Sequence, residues 1–207
     1  MAHFLEVGFK KGVRDAKGES IKKRIIEDLG IKVEQVKTID VYIIDADLSK
    51  NHLNFLAENL FSDSIIQEFS IDRPLKRNFD WLIEVGLKPG VTDNVAKTSK
   101  EAIEDILKEK LKGTVYTSKK YLIFGKNLKK EDLELISKGL LANELIQRWL
   151  ILDFGTFCQK ENCYLPIPKI EIPRQPAITE INLNVSDKEL LKISQERKLA
   201  LNLREMQ

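Results

Sequence analysis

Leu5, Val7 and Phe9 alternate with Glu6 and Gly8, and the same period of two runs through Ile83, Val85 and Leu87 with Glu84 and Gly86 between them. Successive side chains of a strand point to opposite faces, so each run predicts a strand with one buried face and sets Glu6 and Glu84 on the outward face. A glycine-containing loop follows each, Lys10-Lys11-Gly12-Val13-Arg14-Asp15 and Lys88-Pro89-Gly90-Val91-Thr92-Asp93. Proline presets φ and glycine tolerates positive φ, so both loops predict turns. Ile21, Ile25 and Leu29 then share a helical stripe, as do Ala102, Ile103, Ile106 and Leu107, and Gly30 stands where a helix-ending glycine belongs. Residues 33–44, long enough for one strand or a bent pair, and 115–124 predict strands. Leu53, Leu56, Ala57 and Leu60, and then Leu133, Ile136 and Leu140, mark second helices, the first with Ser49 as its cap. Residues 64–71 and 144–152 close each series as short apolar strands.

The two series are copies of one another. Residues 4–15 match 82–93 at a shift of 78, with Glu, Val, Gly, Lys, Gly, Val and Asp recurring in place. Val36 and Tyr42 answer to Val115 and Tyr121 at a shift of 79. Leu48, Lys50, Leu53, Leu60, Ile66, Gln67 and Ile71 answer to Leu128, Lys130, Leu133, Leu140, Ile146, Gln147 and Ile151 at a shift of 80. Single-residue insertions in two loops account for the drift. The expected fold is therefore α+β, two tandem strand-helix-strand-helix-strand units over residues 1–75 and 79–153. One such unit is small and leaves a sheet face or edge poorly covered, a burial problem that pairing two units as a pseudo-dimer solves.

Beyond the repeat the pattern changes. Pro166, Pro168, Pro173 and Pro176 are four of the six prolines in the chain, which predicts an extended linker over 154–185. Ile167, Ile170 and Ile172 give it apolar positions suited to lying on a surface. Ser186-Asp187-Lys188-Glu189 has the capping-box form and opens an amphipathic helix with Leu190, Leu191 and Ile193, so residues 186–207 read as the start of a helical region. Asn202-Leu203-Arg204-Glu205 repeats the start signal just before Gln207, from which we expect the natural protein to continue.

Composition narrows the function classes. Apolar residues make up 43% of the 207, enough for a core, and charged residues 32%, but acids and bases nearly cancel at +2. That argues against a nucleic-acid binder, which carries a clustered basic excess, and no aromatic-rich strand face is present for base stacking. No apolar run is long enough for a membrane span and the start lacks a signal-peptide pattern, so a cytoplasmic location is expected. Cys158 and Cys163 are the only cysteines and His3 and His52 lie far away in sequence, so plain reduced thiols are expected.

The run Ile83-Glu84-Val85-Gly86-Leu87-Lys88-Pro89-Gly90-Val91-Thr92-Asp93 resembles the opening of PurS-like domains, and Leu140-Leu141-Ala142-Asn143 resembles a segment near their end. Glu144 stands where that segment has proline, and Lys11 stands in place of the loop proline in the first copy. Residues 186–206 resemble the linker leading into the synthetase domain of a fused phosphoribosylformylglycinamidine synthase. The resemblance implies an enzyme of purine biosynthesis that uses ATP and glutamine to convert formylglycinamide ribonucleotide to the amidine. It further implies that this part is a non-catalytic assembly module, partnered by the synthetase and glutaminase parts that pass ammonia between them. ATP and magnesium then belong to the synthetase domain, and no cofactor is expected on this chain.

The candidate interface residues are those of the two loops: Lys10, Lys11, Gly12 and Asp15, with Lys88, Pro89, Gly90 and Asp93. Their spacing fits neither a P-loop nor a dinucleotide fingerprint. No serine, cysteine or lysine has an evident base, so the chain alone is expected to be inactive. His52 reads as a surface residue. The alternative is a small-molecule-sensing regulatory module with its ligand between the paired units.

Overall fold

The computed structural model describes residues 2–75, 78–159, 163–169 and 180–206. Six strands form one antiparallel sheet: β1 (Ala2–Phe9), β2 (Gln35–Asp45), β3 (Gln67–Ile71), β4 (Trp81–Leu87), β5 (Thr114–Phe124) and β6 (Gln147–Asp153), in the order β3-β1-β2-β5-β4-β6. That order reads the same for either half from its own edge inward. The registers match as well. Glu6 lies opposite Val41 and Ser70, and Glu84 lies opposite Lys120 and Leu150, each the counterpart by the repeat. At the seam, Asp40 faces Lys119, its own counterpart at the 79-residue shift. The α+β fold of two joined strand-helix-strand-helix-strand units is thus present, arranged about a pseudo-two-fold axis through that pair.

The helices are α1 (Ala16–Leu29), α2 (Lys50–Leu56), α3 (Asn94–Leu107) and α4 (Lys130–Ile136). α2 and α4 each run on into a π-helical turn, Ala57–Phe61 and Ser137–Leu141. α1 ends on Gly30 in the left-handed region, whose N–H meets the carbonyls of Ile25 and Ile26, as its sequence predicts. The stretch 33–44, open between one strand and a bent pair, holds the single strand β2, which begins at Gln35.

The two larger clusters on the helix face mix the halves. Ile25 of α1 packs with Ile83 and Val85 of β4, Tyr121 and Ile123 of β5, and Leu133 and Ile136 of α4. Leu53 and Leu56 of α2 pack with Ala96 and Ile103 of α3 and Val115 of β5. Neither half has a complete core of its own, which is the physical reason for joining them.

The opposite face is also covered. Ile39, Val41, Ile43, Leu82, Leu122 and Leu152 lie under Phe79 and Cys163, with Leu75, Phe157, Tyr164 and Ile167 packed against them. Phe154–Gln159, expected within the extended segment, forms a short helix α5; Asp153 meets the N–H and hydroxyl of Thr156 at its start. Pro166 and Pro168 fall in the non-helical run that follows; Ile170, Ile172, Pro173 and Pro176 lie outside the described residues.

The chain divides into two compact units, 1–170 and 171–207, and both repeats belong to the first. In the second, α6 (Asp187–Glu196) starts on Ser186 with its capping box formed, and α7 (Leu203–Met206) starts on Asn202, which accepts from the N–H of Arg204 and Glu205. Among the described residues no helix is long and apolar enough to cross a membrane.

Candidate functional site

The two loops are built identically. Gly12 and Gly90 sit at φ 87° and 85°, where a side chain would be strained. The Lys10 and Lys88 backbone N–H groups reach the carbonyls of Ile66 and Ile146 at 3.0 and 2.9 Å. Their ammonium groups reach the carbonyls of Ser64 and Glu144 at 2.6 and 2.5 Å. Asp15 caps α1 through the N–H of Gly18 and also accepts from the N–H and hydroxyl of Thr38 in β2. Asp93 does the same with Ala96, and with the N–H and hydroxyl of Thr117 in β5. Each motif therefore ties three elements together: the lysine holds the turn before the edge strand, and the aspartate locks a helix start to a central strand.

The loops are not brought together. One adjoins the start of β3 and the other the start of β6, at opposite edges of the sheet. A cleft of about 390 Å³ beside the first is lined by Lys10, Gly12, Arg14, Asp15, Lys22 and Lys37, among others. The matching cleft beside the second, about 310 Å³, is bordered by Pro168 of the chain's own carboxyl-terminal run. Lys11 and Pro89 are exposed at the loop tips.

Midway between the loops lies a centre that the period-two reading placed outside. Glu6 and Glu84 do not face solvent: they are 1% and 0% exposed. Lys120, also 1% exposed, stands between them, 2.6 Å from Glu6 and 3.8 Å from Glu84. The correction has a simple cause. Both faces of the sheet are covered, so the residue alternating with the core positions of one face falls into the core of the other. The remaining capacity of the carboxylates is used locally. Glu6 accepts from the N–H of Leu75, and Glu84 from the hydroxyl of Ser118 at 2.5 Å and the N–H of Leu165 at 3.2 Å. Lys120 also lies 3.8 Å from the ring centre of Tyr164, which stacks on Phe4. Burial pushes the Glu84 carboxyl above its ordinary range, against the opposing pull of Lys120, Ser118 and the Leu165 N–H. Burial, and then Glu6 beside it, raises the Tyr164 hydroxyl. Two carboxylates sharing one ammonium out of reach of solvent hold chain segments together; they offer no polar group to a substrate.

Residues 4–74 match the family model described as PurS: Phosphoribosylformylglycinamidine (FGAM) synthase. That stretch, the first of the two repeats, is similar to the PurS family. No curated protein matches the chain. Residues 82–153, outside the match, repeat the registers, helices and loop hydrogen bonds of the matched stretch.

Within the matched stretch, Lys10, Gly12 and Asp15 are structural ties, and Lys11 with Arg14 is what the loop shows to solvent, Arg14 paired with Glu19 at 2.7 Å. His52 is exposed, and His3 sits 2.9 Å from Asp72. Cys158 is exposed and Cys163 buried, its thiol on the Phe157 carbonyl. Among the described residues no group of three or more histidine, cysteine, aspartate or glutamate side chains could hold a metal ion. Sequence reasoning missed Lys120, Ser118 and Tyr164. The available signal was Lys120 itself, a lysine at the position where the first repeat has Val41, with Leu122 two residues on.

Proposed function

We propose that the chain is the non-catalytic assembly module of FGAM synthase, bridging the synthetase and glutaminase parts and coupling ammonia transfer between them. The match of residues 4–74 to the PurS family carries this reading. The architecture supports it. A module whose ionic centre is sealed and whose loop aspartates are committed to helix caps and strand ties is suited to holding surfaces, not to performing a reaction. The paired loops at opposite edges give one rigid sheet two separate places to contact other proteins. ATP and magnesium act on the synthetase part, which forms the amidine from formylglycinamide ribonucleotide, and the glutaminase supplies the ammonia.

The test is reconstitution. Synthetase and glutaminase components prepared without a PurS part are mixed with and without this chain, and amidine formation is followed with glutamine or with ammonium as nitrogen donor. The chain is expected to raise glutamine-dependent turnover and leave ammonium-dependent turnover unchanged. An unaltered ratio of the two rates would end the bridging reading.

A further inference from the structure

On the helix face, one residue breaks the symmetry of the seam. Asp40 and Lys119 stand opposite each other across β2 and β5, their side chains joined at 2.6 Å. Lys17, in the first turn of α1, is exposed and hydrogen-bonds to the Lys119 amine. Its counterpart at the 78-residue shift is Val95, in the first turn of α3, so the second half supplies no matching amine.

An ammonium group donates hydrogen bonds and accepts none, so two lysines that share one cannot both be charged. Asp40 decides which of them keeps the proton. Burial works against the Lys119 charge, but Asp40 and Lys17, both hydrogen-bonded to it, hold it above the ordinary lysine range. Lys17 is the acceptor. Its bond with Lys119, then burial, then the Lys119 charge bring it below that range, against the pull of Asp40 and Asp15. Tyr42 and Tyr121 flank the pair, and burial first of all raises both hydroxyls.

A neutral amine on an exposed side chain is a nucleophile. Beside it the Lys119 cation looks onto a cleft of about 300 Å³, lined also by Asp40, Tyr42, Asn94, Val95 and Thr117. A free nitrogen lone pair next to a fixed cation suits one class of reagent, an acyl group carried on phosphate. The amine meets the carbonyl carbon while the ammonium meets the phosphoryl oxygens.

We infer that Lys17 is a modification site of this chain, acylated at Nζ by acyl phosphates, with Lys119 freeing the amine and holding the phosphoryl group. The Nζ lone pair forms the new bond to the carbonyl carbon. The bond from that carbon to the phosphate oxygen breaks, its electron pair leaves with the phosphate, and the proton lost by the nitrogen ends on the phosphate. The products are an amide and inorganic phosphate.

The test treats the full chain with acetyl phosphate at constant ionic strength and follows acetylation at each lysine by peptide mass spectrometry. Exposed Lys11 is the internal reference. Lys17 is expected to react about fivefold faster than Lys11 near neutral pH, and its rate to level off at a lower pH than that of Lys11. Lys119→Gln, checked for unchanged thermal unfolding, is expected to bring Lys17 down to the Lys11 rate, and Lys119→Arg to restore most of the difference. The ratio of the two rates is expected to be larger with acetyl phosphate than with the uncharged N-hydroxysuccinimide ester of acetic acid. Equal rates and equal pH profiles at Lys17 and Lys11 overturn the inference, as does a Lys17 rate that Lys119→Gln leaves unchanged. A ratio no larger with acetyl phosphate than with the neutral ester overturns the assignment of the donor.

Discussion

The two halves share a frame and differ on one face. Toward the helices they correspond closely: Asp15 and Asp93 make the same ties, and both motif lysines hold the same carbonyls. On the opposite face the edge strand of the second half shows Arg148, Leu150 and Leu152, and the first half shows Glu68, Ser70 and Asp72 at the matching places. The apolar face receives α5 and the run after it: Phe157 and Ile167 pack there, the Arg148 guanidinium donates to the Pro166 carbonyl, and Leu165 lies over Gly86. Lys120 in place of Val41 belongs to the same divergence. What duplication kept is what folds the unit; what it released is the surface that α5 and residues 163–169 cover.

The sharpest way to break this comparison is to make the halves alike at the seam. Lys120→Val copies the first half into the second and leaves Glu6 and Glu84 buried without their cation. Breaking a buried pair in this way costs about 3–5 kcal/mol, read as a large fall in denaturant midpoint. Adding Val41→Lys to that variant moves the cation to the other side of the axis and is expected to recover part of the loss. A Lys120→Val chain as stable as wild type would show that the centre is held by packing alone.

The helix-side likeness is tested by removing each aspartate. Asp15→Ala and Asp93→Ala each lose a cap and two bonds to a central strand, about 2 kcal/mol in either case. The two losses are expected to be similar because the bonds lost are the same, and the double variant is expected to lose their sum within about 0.5 kcal/mol. A markedly larger cost on one side would show that the halves lean on each other unequally.

Much of this was legible in the chain. The period of two gave the strands, the stripes gave the helices, and the repeat gave the pairing, because all three depend on local order. Ser49, Gly30 and Ser186 marked helix ends through short-range hydrogen bonds. The inward position of Glu6 and Glu84 was not legible. Alternation assigns a residue to a face but does not say what covers that face, and the cover comes from residues such as Leu75 and Leu165, distant in sequence from both glutamates. The helix at Phe154–Gln159 was hidden for a related reason: the prolines that suggested an extended run begin only at Pro166. The loop motif was legible too, through its recurrence at a shift of 78, whereas the bracing by its lysine and aspartate depends on residues far along the chain.

The finest test is of charge at the seam. The Glu84 carboxyl faces Lys120, Glu6, Ser118 and the Leu165 N–H, and burial raises it above the 4.5 of an unperturbed glutamate. A raised acid means that the folded chain holds its proton more tightly than the unfolded chain. The stability this contributes is fully present below pH 4.5 and is lost as pH rises through the folded-state value. Glu84→Gln removes the titration and keeps an oxygen to accept from Leu165. Over the window opening at pH 4.5, wild type is therefore expected to lose stability relative to Glu84→Gln as pH climbs, read from urea midpoints of the two chains at matched pH. Curves that run parallel across that window would mean that Glu84 stays ionised beside Lys120, with the ammonium outweighing the burial.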